Sequence, residues 1–190
     1  ALGGRTLATR AQMRSGGMIE ILMGEVETEV NPINGRNMNR RKDVLTPELM
    51  IDRLWFEPTT TEVAPAEYYI PATATKALDL LRFHGVQMRK TTAATRGLEQ
   101  FTMTANTQRA PSPNSIDTGA HGLRTLDGAW AAADVSLPVG TWAVPMNQPL
   151  ARLAFYLLEP KSDDGAAAWN VLDDVLGVEG VTAYPILRKR

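Results

Sequence analysis

Residues 147–170 read "NQPLARLAFYLLEPKSDDGAAAWN", and the fold turns on whether this run is scaffold or chemistry. Pro149 suits a first helical turn, where its missing N–H is no loss. Leu150, Leu153, Ala154, Leu157 and Leu158 recur at the spacing of a single apolar helical stripe. Pro160 stops that helix. Ser162 is placed to cap a second one, with Asp163 and Asp164 where the helix dipole favours anions. Trp169, Leu172, Val175 and Leu176 extend an apolar face up to Gly177, which reads as the C-cap. Each residue of the run has a structural reading. The stretch therefore predicts two packed helices, 149–158 and 163–176, with Leu153, Leu157, Trp169 and Leu172 buried between them and a sheet.

The sheet is sought on both sides of this run. Upstream, "AEYYIPA" (66–72) is a short β-type segment, "TATKALDLLRFHG" (73–85) a helix capped by Thr73 or Thr75 and closed by Gly85, and "VQMRKTT" (86–92) a strand. This β-α-β unit predicts parallel strands joined by a right-handed crossover. "LEQFTMTAN" (98–106) is a further strand, residues 107–122 a turn-rich loop, and 128–146 two strands joined at Pro138-Val139-Gly140. "YPILRKR" (184–190) closes the chain as a strand. Near the N-terminus, residues 1–16 read as poorly anchored and "GMIEILMGEVETEV" (17–30) alternates as a strand with one wet face. Asn-Pro and Asn-Gly mark 31–43 as a loop. "TPELMIDRLWF" (46–56) reads as a short helix with Thr46 as N-cap and Pro47 at its first position, a strand being the alternative.

The expected fold is thus α/β or α+β: a mixed β-sheet flanked by helices near 75–84, 149–158 and 163–176, with an irregular N-terminal extension. The expected division is an extension at 1–49, carrying one strand and a basic loop, and an α/β domain at 50–190.

Composition narrows the function classes. A chain of 190 residues with 44% apolar and 22% charged residues can bury a sizeable core, so global disorder is not expected. The formal net charge is −1. Arg188-Lys189-Arg190 is too short a basic run for a phosphate-backbone stripe, so nucleic acid is not an expected partner. No apolar run reaches the ~20 residues of a membrane-spanning helix. With no cysteine, the chain has no disulfide, no thiolate nucleophile and no Cys-ligated zinc. The opening "ALGGRTLATRAQMRSGG" has no initiating Met and no basic-then-apolar signal, and reads as an internal cut in a longer polypeptide.

Chemistry-bearing patterns are sparse. The two histidines, His84 and His121, stand in "HGVQ" and "HGLR", without the paired Glu of a zinc-hydrolase motif. His84 reads as a helix-end residue and His121 as loop. The acid pairs Asp163/Asp164 and Asp173/Asp174 lack the alternating oxygens, Gly and late Glu of a calcium loop, and read as helix-start and exposed-face acids. Ser112, Ser115 and Ser136 sit in no nucleophile elbow, and the Gly-Gly pairs at 3–4 and 16–17 are not a phosphate loop. The aromatics Trp55, Tyr68, Tyr69, Trp130, Trp142 and Trp169 read as core and interface anchors. No catalytic, cofactor-binding or metal-binding residue is assigned.

Several segments carry a resemblance. "LWFEPTTTEVAPAEYYIPA" (54–72), "LDLLRFHGVQMRK" (78–90), and above all "VPMNQPLARLAFYLLEPKSDDGAAAWNVLDD" (144–174) with "YPILRKR" (184–190) resemble bacterial M14-type zinc carboxypeptidases, in the segment that follows the catalytic domain. The likeness covers residues 50–190 well and 1–49 loosely. It implies a parent that is a hydrolase acting in proteolysis, exported to the periplasm or cell exterior. Zinc in that family is bound by a His-x-x-Glu pair and a later His, with a Glu as general base; none of these motifs occurs here. The resemblance therefore implies a non-catalytic accessory domain without a cofactor of its own, the zinc belonging to the catalytic domain. The expected partners are that catalytic domain or copies of this chain. Four tryptophans and eight methionines supply interface-type side chains. The acidic strand 17–30 and the basic segment 34–42 have opposite signs that would steer head-to-tail pairing. The alternative reading is a released assembly module that self-associates into oligomers or filaments through open sheet edges.

Overall fold

The structure is a computed structural model that describes residues 1–53, 55–110, 122–178 and 180–190. It is an α+β fold, strand-rich with three short helices and no closed barrel. The chain divides into two compact units, one of residues 1–11 with 58–190, the other of residues 12–57. The expected boundary near residue 50 thus gives way to an insertion. Residues 1–11, expected to be loosely held, belong to the larger unit. Leu2 N–H donates to Met146 O at 2.9 Å, Gly4 N–H to Ala64 O at 2.8 Å, and Thr9 is fully buried.

Ten strands are described: β1 (Thr6–Arg14), β2 (Gly17–Val30), β3 (Asn37–Asp52), β4 (Trp55–Val63), β5 (Glu67–Ile70), β6 (Arg89–Lys90), β7 (Leu98–Gln108), β8 (Arg124–Ala133), β9 (Trp142–Pro145) and β10 (Ala183–Lys189). The main sheet has the order β6-β9-β5-β10-β7-β8, and every neighbouring pair in it is antiparallel. β1 and β4 form a two-stranded sheet, and β2 and β3 another. β5 and β6 run parallel, as the β-α-β reading expects, but β9 lies between them and pairs with both. The strands around Pro138-Val139-Gly140, β8 and β9, do not pair with each other; their connection crosses from one edge of the sheet to the other side.

Along the central strand β10, alternate residues face two cores. Tyr184 and Ile186 join Tyr68, Ile70, Phe101, Met103 and Val144 in the large core beneath the helices. Leu187 joins Tyr69, Leu98 and Ala143 in a smaller cluster on the opposite face, closed over by Val135 and Leu137. In β8, Gly128 opposes the irregular part of β7, where a Cβ would stand 2.1 Å from Thr102 O, so no other residue fits there.

The helices are α1 (Thr75–Phe83), α2 (Ala151–Leu158) and α3 (Asp173–Leu176). α1 buries Ala77, Leu78 and Leu81. Its N-cap is Ala74, with no side-chain cap bond from Thr73 or Thr75, and Gly85 closes it at φ 76°. α2 is where expected, but its buried face is Ala151, Ala154, Phe155 and Leu158. Leu153 and Leu157 are only half-buried and Leu150 is exposed: the stripe is rotated by about one residue, with the Phe155 ring in the core. Glu159 is extended (φ −70°, ψ 128°), as the residue before Pro160 must be.

The second late helix is shorter than expected. Residues 163–172 form successive turns, and only Asp173–Leu176 is helical. Asn170 has φ 62°, a left-handed conformation that interrupts helical continuation. Ser162 caps nothing; its Oγ is buried without a hydrogen-bond partner among the described residues. Leu172 is buried, but Trp169 is 40% exposed.

The rotated stripe is measurable. Phe155→Ala removes a fully buried ring and is expected to cost about 3–5 kcal/mol; Leu153→Ala, at a half-buried position, should cost clearly less. Urea unfolding of the two variants checks the order, and equal losses would mean that the stripe faces inward at Leu153 after all.

Candidate interaction surface

The residues that the sequence singles out do not converge. His84 is the C-cap of α1, its ring set edge-on to Phe83 at 5.4 Å. Asp163 accepts hydrogen bonds from Ala11 N–H and the Tyr156 hydroxyl, and Asp164 accepts one from Trp169 Nε1. Asp173 pairs with Arg124 at 2.9 Å, and Asp174 with Lys76 at 2.8 Å. Ser136 is exposed in the connection between β8 and β9. His121, Ser112 and Ser115 lie outside the described residues. Among the described residues, no group of three or more His, Cys, Asp or Glu is placed to hold a metal ion.

The most deeply buried polar cluster among the described residues is announced by no sequence pattern. Arg188, read as part of a basic tail, is fully buried on β10. Its Nε donates to Glu99 at 2.7 Å, and its Nη1 approaches Glu159 at 3.3 Å and Glu62 at 3.5 Å. Its guanidinium lies over the Trp130 ring, 4.2 Å from the centroid. Glu159, also fully buried, accepts from the Tyr68 hydroxyl at 2.5 Å and from Trp130 Nε1 at 3.1 Å. Burial raises the Glu159 pKa; the Tyr68 hydrogen bond, Arg188 and Trp130 oppose that shift without overcoming it. Arg188 and Glu159, both fully buried, bond only to groups of the chain itself among the described residues, so the cluster locks elements together. Gln148 is a second lock: its Nε2 donates to Gln87 O and Pro145 O, and its Oε1 accepts from Gln87 N–H.

The surface that stands out is the β2–β3 hairpin of the smaller unit. Residues 37–43, expected as loop, and 46–52, expected as helix, are instead one strand paired along nearly all of β2. Pro47, read as a helix start, sits within β3 opposite Leu22. The period-two set Leu45, Pro47, Leu49, Ile51 was the available strand signal, masked by the Thr-Pro pair.

Residues directly opposite in an antiparallel ladder share a face. One face of the hairpin carries Met18, Glu20 and Leu22 with Ile51, Leu49 and Pro47; the other carries Ile19, Ile21 and Met23 with Met50, Glu48 and Thr46. Both faces are therefore largely apolar, and both are exposed: Leu22 is 64% and Leu49 68% accessible, Ile19 42% and Met50 44%. The expected single wet face of β2 is absent from this half of the strand. At about 3.3 Å per residue and about 5 Å between strands, the apolar half presents roughly 250 Å² on each side. The two sides together expose apolar surface on the scale of the largest patch of a typical monomer, roughly 300–600 Å².

Beyond an irregularity between Gly24 and Val26, the hairpin turns polar. Glu25 pairs with Lys42 at 3.5 Å and Glu29 with Arg40 at 3.6 Å. The acidic and basic segments thus face each other within one hairpin and neutralise each other there. These exposed pairs add little stability.

No family model, no curated protein and no solved structure matches the chain.

The buried carboxylate yields a pH test. Because the folded chain binds the Glu159 proton more tightly than the unfolded chain does, this group favours folding at low pH. That contribution declines as pH rises from the ordinary 4.5 towards the raised folded value. Glu159→Gln cannot titrate, so its stability relative to the native sequence should rise across that interval. Urea midpoints measured from pH 4 to 8 check the sign; a relative loss with rising pH would show that Glu159 is favoured as the anion.

Proposed function

We propose that this chain is a non-catalytic accessory domain, C-terminal in a zinc metallocarboxypeptidase-like protein, which supports the catalytic unit by protein–protein contact. The observation that carries the contact role is the β2–β3 hairpin, whose two apolar faces lie open to solvent. An isolated two-stranded hairpin is at best marginal in water, so a ribbon built of Met, Ile and Leu is best explained by a surface that covers it. The identity of the larger assembly rests on the resemblance of residues 144–174 and 184–190 to the post-catalytic segment of M14-type carboxypeptidases. In this reading the zinc, its ligands and the general base belong to the catalytic unit, and this chain holds no cofactor. The setting is that of an exported protein, periplasmic or extracellular.

The contact is tested by titrating the chain against a zinc carboxypeptidase catalytic unit from the same organism. Leu22→Asp with Leu49→Asp puts two charges on one apolar face and is expected to weaken binding by at least thirtyfold, the scale of a hot-spot loss of about 2 kcal/mol. Binding unchanged by that pair would remove the hairpin from the contact, and no binding by the native sequence would remove the catalytic unit as its partner. The reading also expects no stoichiometric zinc in the purified chain and no release of C-terminal residues from peptides. Metal analysis and a carboxypeptidase assay check both.

A further inference from the structure

The hairpin has two edges as well as two faces, and they are not equivalent. β2 and β3 form a sheet of two strands, so each has one unpaired side. In an antiparallel ladder, residues in non-hydrogen-bonded pairs turn their N–H and C=O outward. Pro47 has no N–H to give the ladder and is accommodated in a strand with its nitrogen on the open side. Its pair with Leu22 is therefore a non-hydrogen-bonded one. By alternation, so are Glu20–Leu49, Met18–Ile51 and Gly24–Leu45.

The open edge of β3 is thus interrupted at Pro47, a residue type that blunts strand addition. The open edge of β2 is uninterrupted: Met18, Glu20, Leu22 and Gly24 all present both backbone groups. Resting on the reading of the hairpin as a contact surface, we infer that the β2 edge pairs with the β2 edge of a second copy of this chain, antiparallel about a two-fold axis at Ile21.

Three properties of β2 select that partner. Centring on Ile21 matches Met18 with Gly24 and Glu20 with Leu22 in both directions, so all four outward-facing residues of each copy find a hydrogen-bonding counterpart. No acid stands directly opposite an acid in this register: Glu20 faces Leu22 and Glu25 faces Gly17, the two Glu20 side chains are diagonal neighbours, and Glu27 and Glu29 extend past the end of the partner strand. The two acidic halves then point in opposite directions, and a net charge of −1 per chain opposes association only weakly. The product is a four-stranded sheet in the order β3-β2-β2-β3, which passes the marginal two-strand limit. Because the same patch is used on both copies, assembly closes at the dimer. The alternative of β2 against a neighbour's β3 would lose a bond at Pro47 and leave open ends. The two apolar faces remain free for the catalytic unit, so edge and faces have separate partners.

The chain has no native cysteine, which allows a direct test on the full chain. Ile21 faces its own symmetry mate in a non-hydrogen-bonded pair, at a Cα separation of about 4.5 Å, within the range a disulfide spans. Under mild oxidation Ile21→Cys should convert to a covalent dimer. Thr46→Cys on β3, roughly 20 Å from its mate at about 4.8 Å per strand across and about 3.3 Å per residue along, should not. Sedimentation should give the native chain twice the monomer mass. Glu20→Pro, which removes one outward N–H and no bond within the hairpin, should halve that mass, while Leu49→Pro on the β3 edge should leave it unchanged. Crosslinking at Thr46→Cys in place of Ile21→Cys, a dimer insensitive to Glu20→Pro, or a native chain monomeric at every concentration would each overturn the inference. A monomer whose binding to the catalytic unit still falls with Leu22→Asp and Leu49→Asp would overturn the dimer alone and leave the accessory-domain reading standing.

Discussion

The larger unit is organised around one buried cation. Arg188 lies on β10, the strand that pairs with β5 on one side and β7 on the other. In the ladder it stands opposite Tyr68 and Glu99. A guanidinium without solvent needs its charge balanced; Nε and Nη1 of Arg188 reach carboxylates, while Nη2 has no hydrogen-bond partner among the described residues. Here Glu99 comes from β7, Glu62 from β4 and Glu159 from the end of α2, with Trp130 of β8 stacked beneath. One side chain therefore fixes the relation of five strands and a helix terminus. Burial, with a lesser push from the Glu62 charge, keeps Glu159 harder to ionise than an exposed glutamate despite Arg188 beside it.

That arrangement also explains the role of the run at 147–170. Gln148 ties its start to residues 87 and 145, Phe155 fills the core, and Pro160 forces the extended backbone that delivers Glu159 to Arg188. The run is scaffold, as its residues imply, but a scaffold that supplies a buried charge. The acids and histidine nearest to looking like chemistry are each engaged in local pairs, a helix end or a turn.

The smaller unit follows a different physical logic. Its apolar side chains are not inside anything that residues 12–57 themselves provide. A ribbon of two strands has no interior, so a pattern that would bury one face in a larger sheet leaves both faces wet. The polar half, with Glu25–Lys42 and Glu29–Arg40 paired across it, can stand in water unaided. The apolar half cannot do so comfortably, and this asymmetry along one hairpin places its uncovered apolar surface near its base.

Local rules read directly from the sequence proved sufficient wherever neighbours along the chain decide the outcome. β2, β5, β7 and β10, the helix at 75–83 with its closure at Gly85, and the stop at Pro160 were all legible, because periodicity, glycine and proline act over a few residues. Competing local signals failed at 46–52, where Thr-Pro and an i, i+2 apolar pattern disagree. The long pairing with β2 settled the strand, since thirteen matched positions outweigh one turn of helix. Which face of α2 is inward, whether Asp163 and Asp164 begin a helix, and whether Arg188 is a tail or a core residue depended on groups dozens of residues away. The sequence by itself determined β2, β5, β7, β10, α1 and α2, and the absence of cysteine chemistry. Only the tertiary structure decided which strands became neighbours, and so where Arg188 would find three carboxylates and which hydrophobic residues would find no cover.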